Sequence, residues 1–289
     1  MSTQTIQTVV EKRSNLSYAD FAREYLFASR PVVLEDCAAQ WSAMKKWNPD
    51  FFKINFPDRV LSADGKSFTA SDYIDILSAS TERDPAPYMH NQNIAEVFPE
   101  LTADVSPTPA YFQPNWLNDK YFPPKLDAIM RKNSVVELYI GGPGGVFPVI
   151  HYDSIYTHAF LTQIYGEKEL FLWAPDQAPY MYARRRNNVS DVNDAVNPDL
   201  DRFPLFAKAK GSSLILRPGQ TIFIPGGWWH TARMLSQSIT VSVNVANSSN
   251  WTEVTRDIVQ DQNGPAKAAL SFYLTILGSF KAKGQTPAI

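Results

Sequence analysis

Hydrophobic and polar positions alternate with a period of two through much of the second half of the chain. The clearest case is Ile239-Thr240-Val241-Ser242-Val243-Asn244-Val245, where every odd position is apolar and every even one polar. Such alternation places the two sets on opposite faces of a strand. Short apolar or alternating runs at 135–140, 148–152, 158–164, 168–173, 213–216, 220–224 and 238–245 predict seven strands. Gly or Pro punctuates many of their joints, as in GGPGG at 141–145, Gly166, Pro218-Gly219 and Pro225-Gly226-Gly227. Regular short strands with turn residues between them predict an all-β sandwich or barrel.

The first half reads differently. Ser17-Tyr18-Ala19-Asp20 has the form of a capping box before a helix to about position 27. A short strand is predicted at 30–34. Asn48-Pro49 caps a helix over 51–56, and Thr69-Ala70-Ser71-Asp72 caps one reaching about 77. A proline-rich connector follows, from Pro85 to Pro124, with room for a short helix at 94–98. The stretch 174–211 is longer and more polar than any other joint, with Arg184-Arg185-Arg186 and Asp191, Asp194, Asp199 and Asp201, and predicts an insertion over one mouth of the barrel. Two helices, 251–261 and 266–282, close the pattern. The implied organisation is a helix-and-strand support region at 1–133, a β core at 134–250 and helices at 251–289.

In the last helix, Ala269, Phe272, Tyr273, Ile276, Leu277 and Phe280 recur at three- and four-residue steps and form one apolar stripe. The stripe packs either on its own chain or on the same helix of a second copy, a homodimer being the commonest soluble assembly.

Composition narrows the function. The 289 residues are 44% hydrophobic and 13% aromatic, enough for a large core, so disorder is excluded. The net charge of −2 argues against a dedicated nucleic-acid or anionic-membrane binder. Cys37 is the only cysteine, so no intrachain disulfide or zinc–cysteine site exists. The N-terminal stretch carries no apolar run of signal-peptide length, and the most apolar segment, 268–280, is too short to span a bilayer. A soluble cytoplasmic protein is expected.

Four histidines are present. His151-Tyr152-Asp153 would put an imidazole and a carboxylate on one face of a strand, Cα atoms about 6.6 Å apart. His230 follows the run IPGGWW just beyond a predicted strand end. Two imidazoles and one carboxylate on one side of a metal form the facial triad of non-haem Fe(II) oxygenases. His90 and His158 have no such partner and read as structural or surface residues. Lys168 opens a strand that is apolar on both faces. It either reaches back to water or faces the barrel interior, where it requires an anion or loses its charge. The polar set Thr240, Ser242 and Asn244 correspondingly faces either water or a polar pocket.

These residues carry a resemblance. GGPGG…HYD, then QIYGEK at 163–168, then PGQTIFIPGGWWH at 218–230 resemble the Jumonji-C (JmjC) family of iron- and 2-oxoglutarate-dependent oxygenases, built on a double-stranded β-helix. The spacing of 17 residues from His151 to Lys168, Thr157 between them, SITVSVNVANSSNW at 238–251 and RPVVLEDCAAQWSAMKKW at 30–47 are most similar to the lysyl-hydroxylase branch once called the phosphatidylserine receptor. The resemblance covers roughly 17–252. It implies a mainly β fold, a jelly-roll or cupin-like barrel with N-terminal α/β elements and C-terminal helices. It implies His151, Asp153 and His230 as Fe(II) ligands, Lys168 as the cation for the distal carboxylate of 2-oxoglutarate, and Ser242, Asn244, Thr157 and Tyr88 around that cosubstrate. Leu161 stands where the branch has Asn, which removes one polar contact.

The implied reaction is O2-dependent hydroxylation of an amino-acid side chain in a peptide or protein, with conversion of 2-oxoglutarate to succinate and CO2. N-methyl demethylation and oxidation of a free amino acid or natural product are alternatives within the enzymes. A metal-binding scaffold without activity is the alternative outside them. Relatives that pair through C-terminal helices add weight to the homodimer.

Overall fold

The computed structural model describes residues 9–184, 188–260 and 262–283. Arg185 and Arg186 of the basic run, Asp261 at the expected end of a helix, and the two ends of the chain lie outside these residues.

Twelve strands are present among the described residues: β1 Glu11–Arg13, β2 Val32–Leu34, β3 Val60–Ala63, β4 Lys66–Thr69, β5 Met89–Asn93, β6 Val136–Gly141, β7 His158–Tyr165, β8 Lys168–Trp173, β9 Gly211–Leu216, β10 Thr221–Ile224, β11 Trp229–Met234 and β12 Ser238–Val245. Seven form the larger sheet in the order β1-β2-β10-β7-β12-β6-β5. A smaller sheet, β11-β8-β9, faces it, and β3-β4 form a separate hairpin. Non-sequential neighbours in two facing, mostly antiparallel sheets make this a jelly roll, the cupin-like barrel.

The support region is part of the barrel wall. β1, β2 and β5 all come from it and sit at the two ends of the larger sheet. Its helices cover that sheet's outer face. The apolar positions Ile239, Val241 and Val245 of β12 pack there with Phe21, Tyr25, Phe52, Tyr73 and Leu77. The helix starts follow their caps: Ser17, Asn48 and Thr69 each accept a backbone N–H three residues on. The short helix Ile94–Val97 lies where the connector allows it.

The other face of β12 looks inward. Thr240 and Ser242 are buried inside the barrel, which excludes the water-facing alternative for that strand. Thr240 donates to Gln163 Oε1 at 2.8 Å, and Gln163 in turn donates to Ser238 at 2.8 Å, so the polar interior is hydrogen-bonded.

Two expectations are corrected. The run 148–152 is not a strand: it pairs through isolated bridges of His151 with His230 and with Val189, and Val146 just before it bridges Arg233 of β11. Pro148 has no N–H to give the ladder, which interrupts it. His230 lies within β11 rather than beyond a strand end. The insertion lies between β8 and β9, and its described residues form loops and 3-10 turns up to Gly211, which opens β9. It closes over Trp173 and Trp229 with Met181, Val192, Phe203 and Phe206.

The last two helices are Trp251–Val259 and Gly264–Lys283. Trp251 donates its indole N–H to the Leu274 carbonyl at 2.9 Å and lies against Gly278, where a Cβ would stand 2.3 Å from the ring. Leu274 and Leu277 are buried there, whereas Phe272, Ile276 and Phe280 are 70%, 55% and 71% exposed. The predicted stripe is therefore split, Leu277 and Tyr273 packing on the chain and the rest facing outward. No helix among the described residues is long and apolar enough to cross a membrane.

Candidate metal centre and cosubstrate pocket

His151 and His230 are brought together by a reciprocal backbone bridge. Each amide donates to the other's carbonyl, at 3.0 and 2.6 Å, and the imidazole centroids are 4.4 Å apart. Asp153 lies in extended backbone just before a 3-10 turn, Ser154–Tyr156, and not on a strand as its spacing implied. The turn nevertheless swings its carboxylate back to both imidazoles. Asp153 Oδ1 is 3.9 Å from His151 Nε2, and Oδ2 is 3.9 Å from His230 Nε2. All three donor atoms lie within 4.8 Å of one another.

The turn before His230 is fixed by glycine and by His158. Gly227 has φ +80°, and a Cβ there would stand 2.1 Å from the Tyr156 hydroxyl. His158 is buried, accepts from Gly226 N–H at Nδ1 at 2.9 Å and contacts Ser249 Oγ through Nε2 at 2.8 Å. Burial holds its pKa down at about 3, so it is a neutral structural residue.

The donor set fits a divalent first-row cation. Separations of 3.9 Å are too long for hydrogen bonds. Three donors that converge without bonding one another leave room for a cation between them, and imidazole nitrogens with a carboxylate oxygen are a donor set that such cations take. His230 contacts the Trp228 carbonyl through Nδ1 at 2.9 Å; an N–H there leaves the Nε2 lone pair for the metal. Burial first, and His230 second, hold His151 well below the usual imidazole range, so it is neutral and able to ligate. Burial pushes the Asp153 carboxyl up while His230 draws it down; a cation would relieve that penalty.

Beside the triad lies a pocket lined by Lys168, Tyr88, Tyr139, Leu161, Thr231 and Ser242 together with the three ligands. Lys168 is 2% exposed, which excludes the water-reaching alternative. Its ammonium donates to the Tyr88 hydroxyl at 3.3 Å and lies 5.6 Å from the Tyr139 ring centroid. Burial, unrelieved by any carboxylate, brings its pKa down to about 7. A buried lysine without an anion fits a carboxylate-bearing ligand. Tyr73 supports this wall, its hydroxyl meeting the Ile140 carbonyl at 2.7 Å and the Met89 amide at 3.3 Å.

The other predicted residues are placed as follows. Asn244 lies outside this pocket, in an adjoining cleft that also reaches His151 and Asp153, with its Oδ1 buried and unpaired. Thr157 is fully buried and donates to the Ser154 carbonyl at 3.1 Å; it supports the turn behind Asp153 and does not line the pocket. Leu161 lines the pocket opposite Ser242 in the β7–β12 register.

Residues absent from the sequence expectations also line the site. Phe147 stacks on His151, with centroids 4.7 Å apart. Tyr139 separates the pocket from the cleft and donates to Glu137 Oε2 at 2.8 Å. The signal for Tyr139 was available: Glu137 and Tyr139 alternate with Val136, Leu138 and Ile140, the same pattern as in β12, whereas Phe147 lies in no such pattern.

A family model described as a cupin-like domain matches residues 55–253. The chain is 30% identical over 262 residues to the lysine-specific demethylase JMJ21 of Arabidopsis thaliana, covering 86% of this chain and 26% of that protein. It is 28% identical to the arginine-specific demethylase JMJ20 of the same plant, with 83% and 57% covered. It is 25% identical to the 2-oxoglutarate and iron-dependent oxygenase JMJD4 of Gallus gallus, with 83% and 60% covered. The chain thus spans between a quarter and three-fifths of these relatives. Their names do not single out the lysyl-hydroxylase branch.

Proposed function

The chain belongs to the cupin-like JmjC family, and from that premise we propose that it is an Fe(II)- and 2-oxoglutarate-dependent oxygenase that hydroxylates an amino-acid side chain of a peptide or protein. The observation that carries the reading is the neighbourhood of two uncompensated charges. The buried Asp153 carboxylate faces two imidazoles across a gap of cation size, and the buried Lys168 ammonium stands in the same pocket without an anion. Together with the cosubstrate and O2, the iron supplies the oxidation that converts 2-oxoglutarate to succinate and CO2 and places one oxygen atom on a substrate carbon.

The chain's own residues hold and orient. In this reading His151, Asp153 and His230 occupy one face of the metal and leave the others to the reactants. Lys168 pairs with the distal carboxylate, and the Tyr88 and Ser242 hydroxyls supply further hydrogen bonds to it. Leu161 offers none, which leaves that side of the pocket apolar. Asn244 faces the substrate cleft, and Thr157 braces the Asp153 turn. The apolar pocket wall and the insertion exclude water from the oxidant.

Demethylation is the second reading. Two of the relatives described above are named demethylases, and hydroxylation of an N-methyl carbon yields an unstable hemiaminal. Peptide or protein substrates, a cytoplasmic setting and a homodimer through the exposed face of the last helix belong to the same proposal. The deciding experiment is succinate release from 2-oxoglutarate with and without iron, followed by mass spectrometry of candidate peptides and free amino acids. Iron-dependent succinate and a gain of one oxygen on a peptide support hydroxylation. Loss of a methyl group assigns demethylation, and no succinate under any condition leaves a metal-binding scaffold.

A further inference from the structure

The turn that follows Asp153 is strained. Ile155 and Tyr156 stand in succession at φ +49° and +59°, a left-handed region that residues with side chains rarely adopt, and Ile155 is β-branched. Such backbone persists only where its surroundings hold it. The hold comes from Asn250, which is buried and whose Nδ2 donates to the Tyr156 carbonyl at 3.0 Å and to that of Val245 at 3.4 Å. Asn250 stands at the start of the helix Trp251–Val259, where an asparagine side chain ordinarily caps the helix. Here it makes no such bond. Its Oδ1 instead accepts from the Asn247 amide at 2.8 Å. Asn247 Oδ1 accepts from the Ser249 amide at 3.0 Å and from its hydroxyl at 2.7 Å. The same hydroxyl meets His158 Nε2, and His158 Nδ1 accepts from the Gly226 amide. Gly226 N–H can only donate, so the proton of the neutral imidazole sits on Nε2 and goes to Ser249 Oγ, whose own proton goes to Asn247. Every link thus has one donor and one acceptor, from the turn before His230 to the turn after Asp153. The two turns also touch, since a Cβ on Gly226 would stand 2.3 Å from the Tyr156 carbonyl oxygen.

We infer that Asn250 is a positioning residue of the metal centre, the end of a buried hydrogen-bonded strap through Asn247, Ser249 and His158 that ties the Asp153 turn to the turn before His230. None of the four side chains bonds to a ligand side chain. The strap acts through backbone: it holds the strained turn that aims the Asp153 carboxylate and fixes that turn against the one that starts β11. The inference rests on the reading of His151, Asp153 and His230 as metal ligands, and it is measured without turnover.

The test uses the full chain, with Mn(II) affinity measured by calorimetry and the symmetry of the bound ion by its electron paramagnetic resonance spectrum. Asn250→Asp keeps the volume and the acceptor for the Asn247 amide but loses the donor to Tyr156. It should weaken Mn(II) binding about tenfold or more and change the spectrum, as loss of groups behind the ligands does. Ser249→Ala cuts the strap in the middle and should weaken binding in the same direction, and Ser249→Thr, which restores the hydroxyl, should recover it. Thr162→Val is the control: it breaks a buried hydroxyl pair with Thr221, 2.9 Å long and outside the strap, and should lower the melting temperature with Mn(II) affinity unchanged. Wild-type affinity and spectrum in folded Asn250→Asp overturn the inference, and so does an equal loss of affinity in the control. If Asn250→Asp does not fold, the Ser249 pair decides, equal affinities in Ser249→Ala and Ser249→Thr overturning the inference. A wild type that binds no Mn(II) ends the ligand assignment and this inference with it, whereas a wild type that binds it no better than the strap variants ends this inference alone.

Discussion

The Lys168 ammonium meets the Tyr88 hydroxyl at 3.3 Å inside the barrel, and burial alone sets its pKa at about 7. This pairing of a cation with a neutral hydroxyl makes the ligand-free pocket an unsatisfied one. Lys168→Met should therefore raise the 2-oxoglutarate requirement by two decades or more while leaving Mn(II) affinity nearly intact, since breaking one side of a desolvated pair costs about 3–5 kcal/mol. Titration of both ligands by calorimetry checks it. An unchanged cosubstrate affinity would remove Lys168 from the site.

The same lysine sets a pH dependence. Its folded pKa of about 7 lies below the ordinary value of 10.5, so between those limits the unfolded chain binds more protons than the folded one. Stability should then rise with pH across that window, by at most about 1.4 kcal/mol per unit from this group. Lys168→Met should flatten that part of the curve in chemical denaturation. Carboxylate binding favours the ammonium form, so 2-oxoglutarate binding should take up a proton above pH about 7. Calorimetry in buffers of differing ionisation heat measures the uptake, and its absence in the wild type would contradict the pairing.

Substituting the ligands tests the metal centre. His151→Ala, Asp153→Ala and His230→Ala should each lower iron-dependent succinate formation by about a hundredfold or more, since even residues behind the ligands cost 10–100-fold. Asp153→Ala removes the only anionic ligand and should hurt as much as either histidine. Circular dichroism should show the fold retained. Turnover near the wild-type level in any two of the three would end the triad assignment.

Much of this site was readable because its chemistry follows strand periodicity. The even positions of β12 and the start of β8 place Ser242 and Lys168 in one interior. Three things were not readable, each for a physical reason. β11 starts only two residues after the Pro225-Gly226-Gly227 turn, and Trp228-Trp229-His230 shows no alternation to mark that start, so His230 reads as a loop residue although it is paired with Leu172 of β8. The meeting of His151 and Asp153 depends on the Ser154–Tyr156 turn rather than on strand alternation. The side of the last helix that is buried is chosen by a distant residue, Trp251 against Gly278, which local periodicity does not encode.

Gly227 makes the dependence of His230 on its turn testable. Its φ of +80° suits glycine, and an added Cβ would meet the Tyr156 hydroxyl at 2.1 Å. Gly227→Ala should cost about 1–3 kcal/mol from backbone strain alone and weaken Mn(II) binding through displacement of β11. Adding Tyr156→Phe should recover part of the steric loss and none of the backbone strain. A Gly227→Ala protein with wild-type melting temperature and metal affinity would show that the turn does not position the ligand.

The exposed half of the last helix tests assembly. Phe272, Ile276 and Phe280 lie at four-residue steps on one face, and all three are more than half exposed. Leu274 and Leu277, which hold the helix to Trp251, are on the other side. Charging the outer face therefore leaves the helix anchored. If that face joins a second copy, Phe272→Asp with Ile276→Asp should convert a dimer to a folded monomer by light scattering, with little change in melting temperature at low protein concentration. The two substitutions remove apolar contact and set like charges facing across a two-fold axis, so dissociation should be complete at concentrations where the wild type is paired. A wild type that is monomeric at micromolar concentrations, or a double variant that remains dimeric, would show that the outer face of this helix is not the interface.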